Sequence, residues 1–288
     1  MGDNMKNTNQ KRNTRIAIIS DVHGNYSALK AVISDIKKKE VDLIYCLGDI
    51  VAKGVNARKC IDLVKKECHV VLKGNTDDRF TTNPCLFKDD EVEYGRLIYH
   101  QQFFDQEDFQ YLKNLPIYTE ICLSGNLIRL FHASPDDVYK TIDNYDLDFT
   151  KKLSLFEAPE GADSICADIV VFGHLHYQFM EKLYGKTLIN CGSVGCSGCP
   201  VLDETVDYNA EISNAHYLII TGSLNESNNT NISFSFESVP YDKEIEISDS
   251  RAAKNIDPDY ENLLKKAYYP GLSRVMKRFL DRGYKLKK

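Results

Sequence analysis

Seven side chains in this chain could do metal chemistry if the fold gathers them: Asp21, His23, Asp49, Asn75, His132, His174 and His176. They occur as Asp21-Val22-His23, Gly48-Asp49, Gly74-Asn75, a single His132, and Gly173-His174-Leu175-His176. Each group follows a short apolar run and carries a Gly or small residue beside it: Gly24, Gly48, Gly74, Ala133 and Gly173. Mixed nitrogen and oxygen donors of this kind suit borderline divalent ions such as Zn, Mn, Fe, Co or Ni. The donors are too many for one tetrahedral site. Two five- or six-coordinate ions sharing a bridging carboxylate would use them all. Ion pairs about 3.5–4 Å apart are a known device for phosphoester chemistry.

Taken singly, each piece has a plainer reading. Asp21 could cap the helix that follows it. Gly48-Asp49 and Gly74-Asn75 each read as a turn. A lone strand-end histidine such as His132 is more often hydrogen-bonded than metal-bound. Two histidines in the Gly173–His176 turn are the strongest single signal. The case for a metal rests on the conjunction of five such signals, each after an expected strand.

The elements that must position them can be read from periodicity. Arg15 to Ser20 is a short apolar run that suits a buried strand. Asn25 can cap a helix whose apolar face is Ala28, Leu29, Val32, Ile33 and Ile36. Asp42 to Leu47 and His69 to Leu72 are further strands, with a helix over Ala57 to Lys66 between them. The chain therefore begins β-α-β-α-β. The stretch from Asp89 to Leu115 is helical in character and rich in Phe and Tyr, and Pro116 ends it. Ile117 to Leu123 and Leu127 to His132 flank Ser124-Gly125-Asn126, a hairpin signal. Asp168 to Phe172 is another buried strand, followed by a hairpin around Tyr184-Gly185-Lys186. Two late strands lie near His216–Thr221 and Ile232–Glu237. The charged tail from about Asp249 reads as helical. Strands with crossover helices followed by hairpins indicate an α/β layered domain. In such sheets ligands sit beyond the carboxyl ends of the strands, where these polar residues accumulate.

Bulk properties narrow the function. The 288 residues suffice for a substantial core, and 43% hydrophobic with 27% charged residues is ordinary for a globular protein. A net charge of -6 disfavours wrapping a long nucleic acid. No apolar run approaches the roughly 20 residues that span a bilayer, so no membrane partner is expected. The polar start, residues 1–13, reads as a flexible lead without a signal-peptide core. Nine cysteines without a disulfide rhythm suit reduced thiols and a cytoplasmic location.

The five motifs together resemble the calcineurin-like metallophosphoesterase family, whose pattern runs D-x-H, G-D, G-N, H and G-H-x-H. The likeness covers about residues 14 to 240, and the chain looks nearest the small prokaryotic phosphodiesterase branch. Ile189-Asn190-Cys191-Gly192-Ser193-Val194-Gly195 resembles the family's N-P-G-S-V-G loop, with Cys191 in place of Pro. The resemblance implies a four-layer α-β-β-α sandwich with mixed sheets, spanning residues 14–245, with 246–288 as a helical C-terminal extension packed on it. It also implies two divalent metal ions (Mn, Fe, Ni, Co or Zn). One would be held by Asp21, His23 and His176, with Asp49 bridging; the other would take Asp49, Asn75, His132 and His174. Asp49, Asn75 and His132 are the expected catalytic residues. The implied reaction is hydrolysis of a phosphoester by metal-activated hydroxide, most readily of a phosphodiester. The implied substrate is small and phosphorylated, such as a phosphodiester or a nucleotide. An oligomer is compatible with the sequence. Alternatives are a phosphomonoesterase or nucleotide pyrophosphatase of the same superfamily, or a non-catalytic interaction scaffold. Scaffold members have typically lost ligand histidines, so the retention of His23, His132, His174 and His176 favours an enzyme.

Two departures from the family pattern bear on substrate choice. Many relatives have His after the motif Asn, where it is thought to protonate the leaving alcohol; here that residue is Thr76. A hydroxyl is a poor general acid at neutral pH, so alkyl monoesters should suffer most, unless Asp77 or Asp78 supplies the proton. The protein phosphatases and diadenosine tetraphosphatases have Arg at the position of Lys53, and a lysine offers a point charge in place of a bidentate fork. Lys53, Thr76 and Arg79 are the candidate contacts to a substrate phosphate. Cys191, Cys196 and Cys199 include a C-x-x-C pair that could bind zinc or act as a redox switch, but the loop's likeness to the family turn favours packing.

Overall fold

The computed structural model describes residues 13–140, 142, 146, 148–162, 165–198, 213–224, 231–254 and 256–266. Thr14–Ile19 forms strand β1, and both of its faces are buried. Ala17 and Ile19 pack into a cluster with the helices Tyr26–Lys38 (α1) and Ala57–Glu67 (α2). Ile16 and Ile18 pack the other way, against a second sheet. This two-sided burial explains why the run is apolar at every position instead of alternating. Leu43–Cys46 (β2) repeats the arrangement, with Ile44 and Cys46 toward the helices and Tyr45 toward the second sheet.

The first sheet is completed by Val70–Val71 (β3), Ala215–Gly222 (β9) and Ser233–Val239 (β10), in the order β10-β9-β1-β2-β3. β1, β2 and β3 are parallel, with Ile16 opposite Leu43 and Tyr45 opposite Val70. β9 runs antiparallel to β1 and β10 antiparallel to β9. The second sheet has the order β4-β5-β6-β8-β7. Its strands are Tyr118–Leu123 (β4), Asn126–Phe131 (β5), Ile169–Phe172 (β6), Gln178–Leu183 (β7) and Lys186–Cys191 (β8). β5, β6 and β8 are parallel, while β4 and β7 close each edge as hairpins.

Three apolar layers hold this together. Ile128, Leu130, Val171 and Ile189 of the second sheet meet Ile16, Ile18, Leu218 and Ile220 of the first. Each such fully buried side chain contributes roughly 1.5–3 kcal/mol. On the far side of the second sheet, Phe131, Val170 and Phe172 pack against Leu155 and Phe156, at the end of the short helix Phe149–Ser154 (α6). Fully buried Arg129 ties that layer down, donating to the carbonyls of Phe156, Glu157 and Ile165 and pairing with Glu120. The result is a mixed α/β architecture with two five-stranded mixed sheets and outer helices, the fold class expected from the sequence.

Between β3 and β4 run Asn75–Phe80 (α3), Glu91–Gln101 (α4) and Gln106–Lys113 (α5). After β10 the chain forms Lys243–Ala252 (α7) and Tyr260–Lys266 (α8). Helical structure thus begins a few residues before position 246. The extension is seated on the sandwich by Ile247, Tyr260, Leu264 and Cys196, and by Glu246, which accepts from the Ser27 amide at 2.8 Å. No helix among the described residues is long and apolar enough to cross a membrane. Positions 1–12 of the expected lead at residues 1–13, and positions 267–288 of the expected C-terminal extension, lie outside the described residues.

Candidate metal centre

The carboxyl ends of five parallel strands deliver the candidate donors. β1 leads into Asp21 and His23, β2 into Asp49, β3 into Asn75, β5 into His132, and β6 into His174 and His176. Asp21, His23, Asp49, His174 and His176 all have φ between 50° and 66°. Non-glycine residues avoid this left-handed region, and strain of this kind collects at functional sites. Backbone bonds across the loops hold the conformation. The amides of Asp21 and His23 donate to the carbonyls of Gly48 and Asp49 at 3.0 and 2.8 Å, and Gly195 N donates to Asp21 O at 2.9 Å. Gly74 is required beside Asp49, because a Cβ there would overlap the Asp49 carboxylate. Asn25, not Asp21, caps α1, accepting from Ala28 N at 3.0 Å. Asp21 is thereby released from the plainer role its position allowed.

The donors fall into two groups. In the first, Asp21 Oδ1 lies 3.1 Å from His176 Nε2, which lies 3.0 Å from His23 Nε2. In the second, Asn75 Oδ1 is 3.0 Å from both His132 Nε2 and His174 Nδ1, which are 3.2 Å apart. Asp49 Oδ2 sits between the groups, 3.5 Å from His23 Nε2 and 3.5 Å from His132 Nε2. The other Asp49 oxygen accepts from Thr76 N at 2.8 Å.

The chemistry of these contacts fits cations. His23 Nδ1, His132 Nδ1 and His176 Nδ1 face the carbonyls of Val51, Leu47 and Cys196 at 3.3, 3.1 and 2.8 Å. A carbonyl only accepts, so each Nδ1 carries the proton and each Nε2 turns a lone pair into the site. His23 Nε2 and His176 Nε2 then oppose lone pair to lone pair. Asp21 Oδ1 is buried with no hydrogen-bond partner, while its Oδ2 accepts from His174 N at 2.9 Å. Neighbouring donors about 2.1 Å from one ion lie about 3 Å apart, the spacing seen within each group. Asp21, His23 and His176, and likewise Asp21, Asp49 and His132, place donor atoms within 4.8 Å of one another.

Electrostatics points the same way. Burial alone would raise the Asp21 carboxyl, but His176, His132 and His23 outweigh it and hold Asp21 well below the usual carboxylate range. Burial pushes Asp49 up. Burial and the neighbouring histidines push His23 well down and His174 down to about 3. Burial disfavours charge on His132 too, yet Asp49, Asp21 and Asp77 together raise it. Neutral imidazoles at His23 and His174 are the form that binds metal.

A cleft of about 120 Å³ opens over this floor, lined by Lys53, Thr76, Arg79, Glu93 and Arg96 together with five of the donors, His23, Asp49, Asn75, His174 and His176. Lys53, Thr76 and Arg79, expected from the sequence, are all brought to it. The Thr76 hydroxyl donates to Val51 O at 3.1 Å. Two suggested proton donors are turned to other work. Asp77 is fully buried, and its oxygens accept from the amides of Asp49, Gly74, Ile50 and Val51 at 2.7, 2.9, 2.9 and 3.4 Å. Burial and the Asp49 charge raise its pKa to about 7 against the pull of those amides. Its role is to clamp the Asp49 loop onto α3. Asp78 accepts from the Tyr139 hydroxyl at 2.9 Å and is not part of the cleft lining. Cys191 and Cys196 are buried, and burial raises both thiols, Cys196 to about 12, which leaves them protonated and inert. Cys199 lies outside the described residues. Glu93 and Arg96 are lining residues that sequence reasoning missed. They sit in an aromatic-rich helix with no motif around them.

The calcineurin-like phosphoesterase superfamily domain matches residues 14–202. An uncharacterised protein of Methanocaldococcus jannaschii, MJ0912, is 28% identical over 254 residues, 87% of this chain and 92% of that protein. A metallophosphoesterase from Sphaerobacter thermophilus has a similar fold, with a TM-score of 0.67 at 23% identity, covering 88% of this chain and 99% of that one. The hypothetical protein PH1004 from Pyrococcus horikoshii gives the same TM-score and coverage at 18% identity. The chain belongs to the calcineurin-like phosphoesterase superfamily.

Proposed function

We propose that this superfamily member is a metal-dependent phosphoesterase with a two-ion centre, and that it prefers phosphodiesters. The observation that carries the reading is Asp49 Oδ2, equidistant from one imidazole of each donor group. Asp21, His23 and His176 would hold one ion, Asn75, His132 and His174 the other, and Asp49 would join both. Divalent ions held there, such as Mn, Fe, Ni, Co or Zn, supply charge neutralisation at the phosphoryl oxygens and a nucleophile from water near neutral pH.

The chain's own residues set the rest. The carbonyl contacts of His23, His132 and His176 fix ring orientation and tautomer. Thr76 N holds Asp49 Oδ1, and Asp77 holds the Asp49 amide, so the shared carboxylate is fixed from two sides. Lys53 and Arg79 line the cleft wall and would meet an anionic substrate there. No strong proton donor stands where relatives carry a histidine, since the Thr76 proton is directed at Val51 O. A poor leaving group needs that proton most, which favours diesters with good leaving groups over alkyl monoesters.

The test is metal-free protein reloaded with Mn²⁺, Ni²⁺ or Zn²⁺ and assayed on a bis-aryl phosphodiester and the matching aryl monoester, with Asp49→Asn as the blank. Metal-dependent diester turnover above monoester turnover, lost in the variant, supports the reading. Faster monoester turnover removes the diester preference. No metal-dependent turnover of either moves the protein toward a scaffold role.

A further inference from the structure

The cleft wall carries more positive charge than a phosphodiester requires. A diester has one negative charge, and the two divalent ions that Asp21 and Asp49 would help to hold would already exceed it. Lys53, Arg79 and Arg96 add three cations to the same cleft, against two carboxylates, Glu93 in its lining and Asp257 behind Arg96. Glu93 is buried and shared by both guanidinium groups, with Oε1 3.4 Å from Arg79 Nη1 and Oε2 3.0 Å from Arg96 Nη1. Glu93 and Arg96 are three apart on α4 and so share a face. Arg96 is held a second time, by buried Asp257 at 2.6 Å from Nη2. Asp257 comes from the connection between α7 and α8, so the C-terminal extension sets the aim of a guanidinium in the cleft. Arg96 Nε is buried with no hydrogen-bond partner among the described residues. Arg79 meets Glu93 through one long contact and rests over the Tyr139 ring at 5.5 Å. The extension also packs the Tyr260 hydroxyl close to Gly54, next to Lys53, where a Cβ would crowd it.

We propose that Arg96 and Arg79 bind a second anionic group of the substrate, separate from the phosphoryl group at the metals, and that Asp257 is the positioning residue for Arg96. The substrate class is then a phosphodiester whose esterified arm carries a further phosphate or carboxylate. A guanidinium fork suits either group bidentately. Glu93 holds the two arginines apart and in place until that anion arrives. This rests on the phosphoesterase reading for the position of the first phosphoryl group.

Calorimetric titration of the Mn²⁺-loaded full chain tests it without turnover. The probes are alkylene bisphosphonates with two to five methylenes, the monophosphonates of equal length, and the ω-carboxyalkyl phosphonates. For the best-fitting length, the wild-type protein should bind the doubly anionic probe at least tenfold more tightly than the monophosphonate. The bisphosphonate and carboxyalkyl arms tell a phosphate site from a carboxylate site. Arg96→Gln should reduce the advantage to about twofold. Asp257→Asn should reduce it to a similar degree, and Asp257→Glu should restore most of it, with circular dichroism showing all variants folded. Equal binding of singly and doubly anionic probes by the wild-type protein overturns the proposal. So does an advantage that survives Arg96→Gln. Bis-aryl diester and aryl monoester turnover by the wild-type protein are measured alongside; the absence of both would sink the phosphoesterase reading, while the titration still decides the second-anion site.

Discussion

The floor and the wall of the cleft are built on opposite principles. On the floor, Asp21, His23, Asn75, His132, His174 and His176 crowd donor atoms to about 3 Å, with the Nε2 lone pairs of His23 and His176 facing each other, a spacing that suits cations. On the wall, Arg79, Glu93, Arg96 and Asp257 pair donor to acceptor and balance much of their charge internally. The floor is anchored by strand ends and strained turns, the wall by the helices α3 and α4 and an extension from the far end of the chain. The lesson is that this fold keeps two kinds of polar array side by side. The floor is a frustrated cluster of donors that could hold metal, and the wall is a self-compensated array to which the proposal above gives the rest of the substrate.

The largest expected effect breaks the floor alone. Asp49→Asn removes the anion between the two donor groups and should lower metal-dependent turnover by about three orders of magnitude, with bound metal falling toward one ion per chain by elemental analysis. The variant should leave the wall's ion pairs intact, so a crystal structure showing Arg96 still on Glu93 and Asp257 would sharpen the contrast. Next in size is the brace beneath the floor. Asp77→Ala strands four buried amides and should destabilise the metal-free protein by about 3 kcal/mol in denaturant unfolding. A change within a few tenths of a kcal/mol would show that Asp77 is not the clamp.

A smaller effect lies at the seam. Thr76→His places an imidazole where relatives carry one and should raise the monoester-to-diester rate ratio about tenfold, read with paired aryl substrates. An unchanged ratio would detach the diester preference from this position. The smallest lies behind the wall. His100 on α4 is buried against Phe80 and Phe104, and burial followed by Arg96 lowers its pKa to about 3. The unfolded chain binds a proton at His100 below about pH 6.5 that the folded protein refuses until about pH 3. Its contribution is therefore fully present above 6.5 and is lost as pH falls toward 3. The wild-type protein should lose about 1.4 kcal/mol more than His100→Phe between pH 5 and 4, measured without metal. Parallel pH profiles would mean that His100 is not held neutral.

Much of the floor was legible in the sequence because its signals are local. An apolar run followed by a polar residue with a Gly or small residue nearby marks a strand end, and β1, β2, β3, β5 and β6 each carry that mark. The helix α1 was legible with its cap, since Asn25 and the apolar spacing of Ala28 to Ile36 lie within one short window. The helix α3 was not, because Asn75 is at once a turn residue by composition and the first residue of a helix. Asp77 resembled a proton donor because nothing in Asn75-Thr76-Asp77-Asp78 tells which acid faces inward. That choice is made by the amides of the Asp49 loop, which converge on Asp77 alone.

What the sequence determined by itself is the donor inventory and the strand ends that carry it, because residue type and periodicity are properties of a short stretch of chain. Tertiary structure decided which donors meet. The pairing of His23 with His176 joins residues 153 positions apart, and that of Arg96 with Asp257 spans 161. Such contacts depend on how two sheets and a terminal extension stack, and the stacking is driven by burial of apolar surface, which is non-directional and leaves no local mark on the polar residues it brings together.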